Sequence, residues 1–252
     1  MALPAPDPDS TALVTGASSG IGRELARGLA ARGHGVTLVA RRAERLEQLA
    51  AEIESRGLTV ELLVNGAGYG IYVPFPASDR ERELQQVRLL VEAVVDLDAR
   101  YVPGMVKRGR GAIVNLSSTA GFQALPGNNT YAAAKSFVLL HTEALHEELR
   151  GTGVTATAVC PGPVATEFQE TSEPVFADKL PKLVWSDPER VARDALRAVE
   201  RGRRTVIPGG APVRVGFGPN RIMPARLTIP VTRQLMAQEL RRARAVQPAD
   251  GD

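Results

Sequence analysis

The stretch that most constrains the fold of this chain is a glycine-rich turn between a short apolar run and a helical pattern. Residues 12–15 have the composition of a buried strand, and Gly16-Ala-Ser-Ser-Gly-Ile-Gly22 follows them directly, before a helix predicted over residues 23–32. Glycines at a helix N-terminus permit a tight turn and let the backbone approach a pyrophosphate. The pattern therefore predicts the first βα unit of a dinucleotide-binding sheet. Its spacing is G-x-x-x-G-x-G rather than G-x-G-x-x-G, and an ordinary glycine-rich turn is the alternative.

A second strand is predicted over residues 35–40, and it leads into two arginines. A dinucleotide site places near this strand end either an acidic residue, which bonds the adenosine ribose, or an arginine, which accepts a 2′-phosphate. Ala40 fills the strand end here, and Arg41 and Arg42 follow it. This arrangement favours NADP (NADPH) over NAD as the cofactor. The alternative is that the two arginines only open the charged helix predicted over residues 43–56.

A serine, a tyrosine and a lysine in the middle of the chain form the candidate reactive group. Ser118 follows an apolar run at residues 111–116 that is typical of a buried parallel strand. It should therefore lie at the carboxyl end of the sheet, where ligands bind, and hold the oxygen of a carbonyl or alcohol. Tyr131 and Lys135 are four residues apart and share one face of a helix. Because a nearby ammonium favours the phenolate, Lys135 is expected to make Tyr131 a usable proton donor or acceptor near neutral pH. The alternative is an incidental Tyr and Lys beside a serine-rich loop.

The length and composition fit one soluble α/β domain of 252 residues, with 44% hydrophobic and 23% charged residues. No apolar run approaches the ~18 residues of a membrane span. Residues 1–10, rich in Pro, Ala and Asp, are predicted to be a disordered leader rather than a signal peptide. The single cysteine, Cys160, rules out an intramolecular disulfide and fits a reducing interior. The protein is expected to be cytoplasmic.

Five motifs stand in the order that they have in the short-chain dehydrogenase/reductase family, which this chain resembles over residues 11–209. They are Gly16-Ala-Ser-Ser-Gly-Ile-Gly22, Asn65-Gly-Ala-Gly68, Ser118, Tyr131-Ala-Ala-Ala-Lys135 and Pro161-Gly162. The resemblance implies an α/β fold with a Rossmann-type, doubly wound parallel sheet and a bound nicotinamide dinucleotide. It also implies hydride transfer between the nicotinamide and a carbonyl or hydroxyl carbon of a small-molecule substrate.

The resemblance further implies roles for individual residues. It assigns Ser118 to substrate-oxygen binding, Tyr131 to general acid/base catalysis, and Lys135 to the nicotinamide ribose and to Tyr131. The implied phosphate-loop contacts are Gly16, Ser18, Ser19, Gly20, Ile21 and Gly22. The implied adenosine-ribose contacts are Asn65 and Ala67, with Gly68. The remaining implied cofactor contacts are Pro161, Gly162 and Thr166, and Thr166 lies at the nicotinamide end.

One departure from the family lies just before Asn65. Only seven residues, 58–64, separate it from Gly57, where the family places a strand, an Asp-containing turn near the adenine, a helix and another strand. Because a parallel crossover needs a dozen or more residues, this segment can form one strand only. It delivers Asn65 to the cofactor, so we expect the family's third, edge strand and the helix after it to be absent. Helix 43–56 then swaps sheet faces, makes a left-handed connection or packs poorly.

A second departure lies in the long helix predicted over residues 79–107. Aligned through Val102-Pro-Gly-Met105, the family's helical asparagine, which orders a water in the proton relay to the lysine, falls at Leu90. Leucine can neither donate nor accept a hydrogen bond, so proton exchange with solvent would need another route. The alternative is that Leu90 is an ordinary core residue.

Two predicted helices, 79–107 and 130–150, carry broad apolar faces that the family uses for subunit contacts. This favours a homodimer or homotetramer, with burial inside the monomer as the alternative. Residues 164–186 form a candidate substrate lid. The apolar residues that would line its wall favour a lipophilic substrate. These residues are Phe168, Phe176 and Trp185.

Residues 210–252 form a basic C-terminal extension in which arginines alternate with apolar residues. The arginines are Arg214, Arg221, Arg226, Arg233, Arg241, Arg242 and Arg244, against the single glutamate Glu239. Such a segment could lie on an anionic membrane or cover the lid, but the pattern favours a solvated helix. The net charge of only +3 argues against a nucleic-acid partner. The histidines, His34, His141 and His146, lack metal-ligand company, so no metal site is predicted.

The sequence therefore supports two functional hypotheses. The first is an NADP-dependent reductase or dehydrogenase of a lipophilic carbonyl or alcohol, and the intact Ser118, Tyr131 and Lys135 favour it. The second is a degenerate member with weak or no turnover that serves as a binding or scaffold subunit, and the short 58–64 segment and Leu90 favour it.

Overall fold

The computed structural model describes residues 3–39, 59–166 and 180–237, and the strands within them form one parallel sheet. The strands are β1 (Ser10–Thr15), β2 (Val36–Val39), β3 (Thr59–Asn65), β4 (Gly111–Leu116), β5 (Val154–Val159) and β6 (Thr205–Val206). Their order across the sheet is β2-β1-β3-β4-β5-β6. From β1 the chain first adds β2 on one side of the sheet and then adds β3 and the later strands on the other side. The boundary between β1 and β3 is therefore the topological switch point of a doubly wound fold.

The predicted loss of the edge strand agrees with this order. β3, which ends at Asn65, pairs with β1 on one side and β4 on the other, so it occupies the position of the family's fourth strand. Within the described residues, β2 is the last strand on its side of the sheet. The α/β, Rossmann-type fold without a third edge strand is therefore confirmed for the described part of the chain.

The helices cover both faces of the sheet. They are α1 (Gly20–Ala30), α2 (Arg80–Val87), α3 (Ala93–Arg108), α4 (Asn129–Glu148), α5 (Pro188–Glu200), α6 (Ala211–Phe217) and α7 (Ala225–Leu235), with a π turn at Arg88–Glu92 and 3-10 turns at Phe75–Ala77, Thr119–Phe122, Lys182–Val184 and Gly218–Arg221. Alternate strand residues point to opposite faces. Ala12 and Val14 pack with α1 and α5, whereas Leu13 packs with α3 and α4.

The helix predicted over residues 79–107 is interrupted by the π turn. Asp79 starts it by accepting a hydrogen bond from the backbone N–H of Arg82 at 2.8 Å. Gly109, with φ of +71°, ends it. The π turn contains Leu90, and such local widenings of a helix occur frequently at functional sites.

The start of the chain differs from the predicted disordered leader over residues 1–10. Ser10 already belongs to β1, and Leu3 packs against the core on the α1 face. Asp7 makes an ion pair with Arg110 at 2.6 Å. The composition of the segment is polar and Pro-rich, but one apolar residue and one carboxylate find partners on the folded domain.

Several predictions lie outside the described residues. They concern Arg41 and Arg42, the helix over residues 43–56, Phe168 and Phe176 of the lid, and Glu239, Arg241, Arg242 and Arg244 of the tail. In the ranges that are described, no helix is long and apolar enough to cross a membrane.

Candidate active site

Ser118, Tyr131 and Lys135 come together at the carboxyl end of β4. Ser118 lies two residues beyond the end of this strand, and its hydroxyl accepts a hydrogen bond from the backbone N–H of Ala120 at 3.1 Å. Tyr131 and Lys135 lie in the first two turns of α4. The structure therefore places the predicted reactive group at the sheet edge where open α/β folds bind ligands.

Tyr131 is buried, and its hydroxyl hydrogen-bonds with the Ser118 hydroxyl. Burial raises the pKa of Tyr131 above its ordinary value, repulsion from the ionised form of Tyr72 raises it further, and the hydrogen bond with Ser118 opposes the shift. The expectation that Lys135 would bring this pKa toward neutrality is therefore not met in this structure. Desolvation of the phenolate outweighs the neighbouring polar groups, and the Tyr131 phenol is neutral at pH 7.

Lys135 is also buried, and its ammonium is held by the sheet. Its Nζ donates a hydrogen bond to the carbonyl oxygen of Leu116, the last residue of β4, at 2.6 Å. The same Nζ lies 5.7 Å from the centroid of the Tyr131 ring. Burial lowers the pKa of Lys135 to about 8, and the charge of Cys160 opposes this shift. The lysine is therefore mostly charged at pH 7 and close to its titration range.

Leu90 forms an apolar wall of this group. It is buried and packs against Tyr131 and Ala134. A Cβ atom added to Gly68 would lie 2.9 Å from Leu90 Cδ2 and 3.7 Å from Lys135 Nζ, so a side chain at Gly68 would collide with Leu90. Gly68 therefore lies against both Leu90 and Lys135, and a leucine that cannot hydrogen-bond fills the position assigned to the family's asparagine.

The glycine-rich turn has the geometry of a phosphate cradle. Gly16 has φ of +71°, and a Cβ atom there would lie 2.7 Å from the backbone of Gly66. A Cβ atom on Gly22 would lie 2.3 Å from the Gly16 carbonyl oxygen, so only glycine fits. Ser19 precedes α1 without a capping hydrogen bond from its side chain, which leaves the first N–H groups of the helix to an anion. These residues fit the pyrophosphate of a dinucleotide.

The remaining phosphate-loop residues lie around this cradle. Ser18 is exposed and Ile21 is half-buried. Gly20 faces Thr166, whose Cγ2 atom lies 3.1 Å from the position of an added Cβ. Thr166 therefore lies next to the loop, as a contact to the cofactor requires.

The side chain of Asn65, which the resemblance assigns to the adenosine ribose, makes its hydrogen bonds inside the protein. Its side chain lies in a buried polar network, with Nδ2 3.0 Å from Asp98 Oδ1 and 2.8 Å from Asn115 Oδ1. The amide is thus committed to joining β3, β4 and α3, which makes Asn65 a structural residue of the sheet. The N–H of Ala67 donates to the Thr15 hydroxyl at 3.2 Å, which fixes the turn after β3 against the end of β1.

Pro161 and Gly162 connect the reactive group to the loop beyond β5. The carbonyl oxygen of Pro161 accepts a hydrogen bond from the N–H of Thr119 at 3.0 Å and one from the Ser118 hydroxyl at 3.5 Å. Gly162 allows close approach of α6, because an added Cβ would lie 2.9 Å from Val213 Cγ1. This short connection ties Ser118 to the turn that follows β5.

The segment predicted as a lid has a closed base. Val164 and Ser186 form a parallel bridge, and the N–H of Ser186 donates to the carbonyl oxygen of Pro163 at 3.0 Å. Trp185, next to this base, is half-buried. The two ends of the loop are therefore held together beside the carboxyl end of β5.

Two features of the site were missed from the sequence. Tyr72 lies close enough to Tyr131 to influence its titration, and Asn128 lies beside Tyr72. Asp98, buried at 3.0 Å from His141 Nε2, completes the network with Asn65. The signal for Asp98 was present, because it is a carboxylate within the otherwise apolar face of a long helix.

Comparison with known proteins gives the family. The sequence model of the short-chain dehydrogenase family, described as short chain dehydrogenase, matches residues 10–61 and 54–175. The two matched pieces meet at residues 54–61, where the crossover is shortened. The chain belongs to the short-chain dehydrogenase/reductase family, whose members are oxidoreductases.

Relatives and solved structures agree with this assignment. The very-long-chain 3-oxoacyl-CoA reductase of Anas platyrhynchos is 30% identical over 202 residues, which cover 68% of this chain and 65% of that protein. The chain therefore spans just under two thirds of that relative's length. A short-chain dehydrogenase from Streptomyces avermitilis has the same fold, with a TM-score of 0.71 at 23% identity over 96% of this chain and 99% of that one. A short-chain dehydrogenase from Sphingobium yanoikuyae in complex with NADPH gives a TM-score of 0.67 at 28% identity over 96% of this chain and 98% of that one.

Proposed function

We propose that this protein is an NADPH-dependent reductase of a lipophilic carbonyl compound, with Tyr131 as the general acid. The observation that carries the proposal is the hydrogen bond between Ser118 and Tyr131 at the carboxyl end of β4, with the Lys135 ammonium held beside the tyrosine ring. A neutral phenol that is already paired with a serine hydroxyl can bind a carbonyl oxygen between the two groups and pass it a proton.

The phosphate cradle supports a dinucleotide, and the two arginines support the phosphorylated form. Gly16, Gly20 and Gly22 would hold the pyrophosphate at the N-terminus of α1, and Arg41 and Arg42 would accept the 2′-phosphate. When it is bound, the reduced nicotinamide supplies the hydride that adds to the carbonyl carbon. The NADPH complex of the Sphingobium protein supports this choice of cofactor.

The proton follows a separate route through the protein. Tyr131 donates its hydroxyl proton to the substrate oxygen, which becomes the alcohol, and a phenolate remains. Ser118 donates a hydrogen bond that stabilises the developing negative charge on that oxygen. The Lys135 ammonium stabilises the phenolate until a proton returns from solvent. Reduction fits this state of the site better than oxidation, because burial keeps Tyr131 protonated at neutral pH.

The base of the lid and one of the relatives support the proposed substrate class. Trp185 offers an apolar surface at the base of the 164–186 loop. The Anas platyrhynchos relative is by name a reductase of very-long-chain 3-oxoacyl-CoA. A 3-oxo group on an apolar chain is therefore the first substrate that we propose to test.

The second candidate function is a binding or scaffold role with weak or no turnover. The sheet order favours it, because β2 ends the described sheet on the side where the adenine would bind. Leu90 favours it as well, since it replaces the hydrogen-bonding group beside Lys135.

Fluorescence titration of the purified protein with NADPH and NADH tests the proposal, followed by a panel of 3-oxo esters and thioesters. We expect tighter binding of NADPH, and Arg41→Ala should weaken NADPH selectively by the ~1–3 kcal/mol typical of charged hydrogen bonds. Arg150→Ala, an exposed arginine at the far end of α4, is the matched control. Equal affinity for the two cofactors would contradict the choice of NADPH, and binding without turnover of any carbonyl would support the scaffold role.

We also propose that the protein is a homodimer or homotetramer. Phe137 and Leu140 on α4 and Val95 on α3 remain exposed, so burial inside the monomer does not account for these apolar faces. Multi-angle light scattering should give at least a dimer at micromolar concentration, and Leu140→Asp should shift it toward monomer. A monomer in the unmodified protein would refute this assembly.

A further inference from the structure

Helix α7 buries polar side chains against the domain and leaves apolar side chains exposed to solvent. Thr228 and Thr232 are buried against the domain, whereas Leu227 and Val231, one turn apart, are 52% and 58% exposed. Ile222 and Met223, immediately before the helix, are 86% and 41% exposed. We call these four apolar residues, together with Arg226 and Arg233 beside them, the C-terminal surface.

The C-terminal surface is fixed to the domain rather than loosely attached. The Thr232 hydroxyl donates to the carbonyl oxygen of Ala124 at 3.2 Å, and Met236 is buried beside Gly127. Arg221 makes an ion pair with Glu143 of α4. These contacts anchor the segment to the loop that precedes Tyr131. The buried threonines thus satisfy their hydroxyl groups locally, and the apolar side chains are left facing outward.

The segment of chain that carries this surface has charged residues of one sign. Residues 201–237 contain seven arginines and no aspartate, glutamate or lysine. Arg214, Arg226 and Arg233 are exposed. Apolar residues flanked by exposed arginines on a short helix are the pattern of a segment that lies in the headgroup region of an anionic bilayer.

We propose that the C-terminal surface binds an anionic phospholipid bilayer, with Leu227 and Val231 inserted and Arg226 and Arg233 on the headgroups. A second copy of this chain fits less well, because a two-fold interface would place the same arginine-rich surface against itself. A membrane neither repels these charges nor requires a matching protein shape. The surface adjoins the loop before Tyr131, so a lipophilic substrate could enter the site from the bilayer. This entry route rests on the proposed function, whereas membrane binding itself does not.

Flotation of the full chain with vesicles tests the proposal. We expect binding to vesicles of phosphatidylcholine and phosphatidylserine, little binding to phosphatidylcholine alone, and weaker binding as salt is raised. Arg226→Gln with Arg233→Gln should weaken binding about 30-fold. Leu227→Ser with Val231→Ser should weaken it at least about tenfold at any salt concentration. Both double variants change exposed side chains only, and circular dichroism would show that they fold.

Matched controls separate this surface from general stickiness. Leu38→Ser removes a leucine that is 59% exposed on β2, and Arg150→Gln removes an exposed arginine on another face. Neither should alter vesicle binding. Equal binding to neutral and anionic vesicles, unchanged binding by either C-terminal double variant, or a shift of Leu227→Ser/Val231→Ser to a smaller oligomer would each overturn the proposal. Because vesicle binding needs no turnover, an inactive protein that binds anionic vesicles would refute the proposed function and leave this inference intact.

Discussion

The two halves of the sheet differ in the burial of their strands and in the extent of strand pairing. β4 and β5 are buried along their whole length and pair in register from Gly111↔Val154 to Leu116↔Val159. β2 pairs with β1 only from Ala12↔Val36 to Thr15↔Val39, and Leu38 at its centre points into solvent. The first half carries the reactive residues, and the second half is where the adenine of a dinucleotide would lie.

This difference shows that chemistry and cofactor affinity rest on separate parts of one domain. The reactive group is held by local contacts within β4, α4 and the Pro161 turn, so shortening the chain before β3 leaves it in place. The adenine side lies at β2, which is the last strand of the described sheet on that side. The register shift between Thr11 and Ala12, where β1 meets β3, lies next to the shortened connection. We therefore expect weak cofactor binding together with low but real turnover.

Among the variants that test the separation of chemistry from cofactor affinity, Tyr131→Phe should have the largest effect. Removal of the hydroxyl should lower kcat by roughly 10²–10⁴, the usual contribution of a positioned general acid, while NADPH affinity stays the same. Steady-state kinetics and fluorescence titration measure the two effects separately. Tyr69→Phe, which removes a hydroxyl bonded to the Arg82 carbonyl, is the control and should retain activity. Unchanged turnover in Tyr131→Phe would remove Tyr131 from the catalytic role.

A smaller effect is expected on the adenine half, from inserting a helix and strand between Gly57 and Leu58, ahead of β3. The insert should cover the exposed side of β2 and tighten NADPH binding about tenfold, equal to ~1.4 kcal/mol, with kcat little changed. A Gly/Ser-rich insert of equal length at the same place is the control, because it adds chain without adding a strand. If the unmodified chain already binds NADPH at ordinary micromolar strength and turns over briskly, the shortened connection has no such cost.

The sequence predicted most of the catalytic half and less of the rest, for physical reasons. Gly16, Ser118, Tyr131 and Lys135 could be placed because strand ends and one helical turn determine their positions. The pKa of Tyr131 could not be predicted from the sequence, because it depends on burial by Leu90 and on Tyr72, which lies far away in sequence.

The contacts of Asp98 were also beyond sequence reasoning, although the carboxylate itself stands out on the apolar face of its helix. Asn65, Asn115 and His141 reach this carboxylate from three different elements, so no local spacing reveals the contact. The ribose contact of the motif Asn65-Gly-Ala-Gly68 stays a prediction, and the side-chain amide of Asn65 joins β3 to β4 and α3. A buried carboxylate that accepts several hydrogen bonds needs all of its partners at once, and only the tertiary structure brings them together.

The smallest expected effect concerns Leu90, the apolar wall of the reactive group. Leu90→Asn would place an amide beside Lys135 Nζ and reduce the cost of burying its charge. The pKa of Lys135, about 8 in the folded protein, should rise by about half a unit toward its ordinary value of 10.5, which is equal to ~0.7 kcal/mol. The alkaline limb of kcat/KM, where the ammonium is lost, should therefore move to higher pH.

Stability gives an independent measurement of the same change. Between pH 8 and 10.5 the unfolded chain keeps a Lys135 proton that the folded chain has released, so this lysine makes the free energy of unfolding rise with pH. Leu90→Asn should flatten that rise. Cys160 acts in the opposite sense above pH 9, because burial raises the pKa of its thiol to about 12, so the test is the difference between variants rather than the absolute slope. Leu90→Ala, which opens space without an amide, is the control. If it shifts the alkaline limb and the slope as much as Leu90→Asn does, access of water to Lys135 rather than the missing amide sets the lysine's titration.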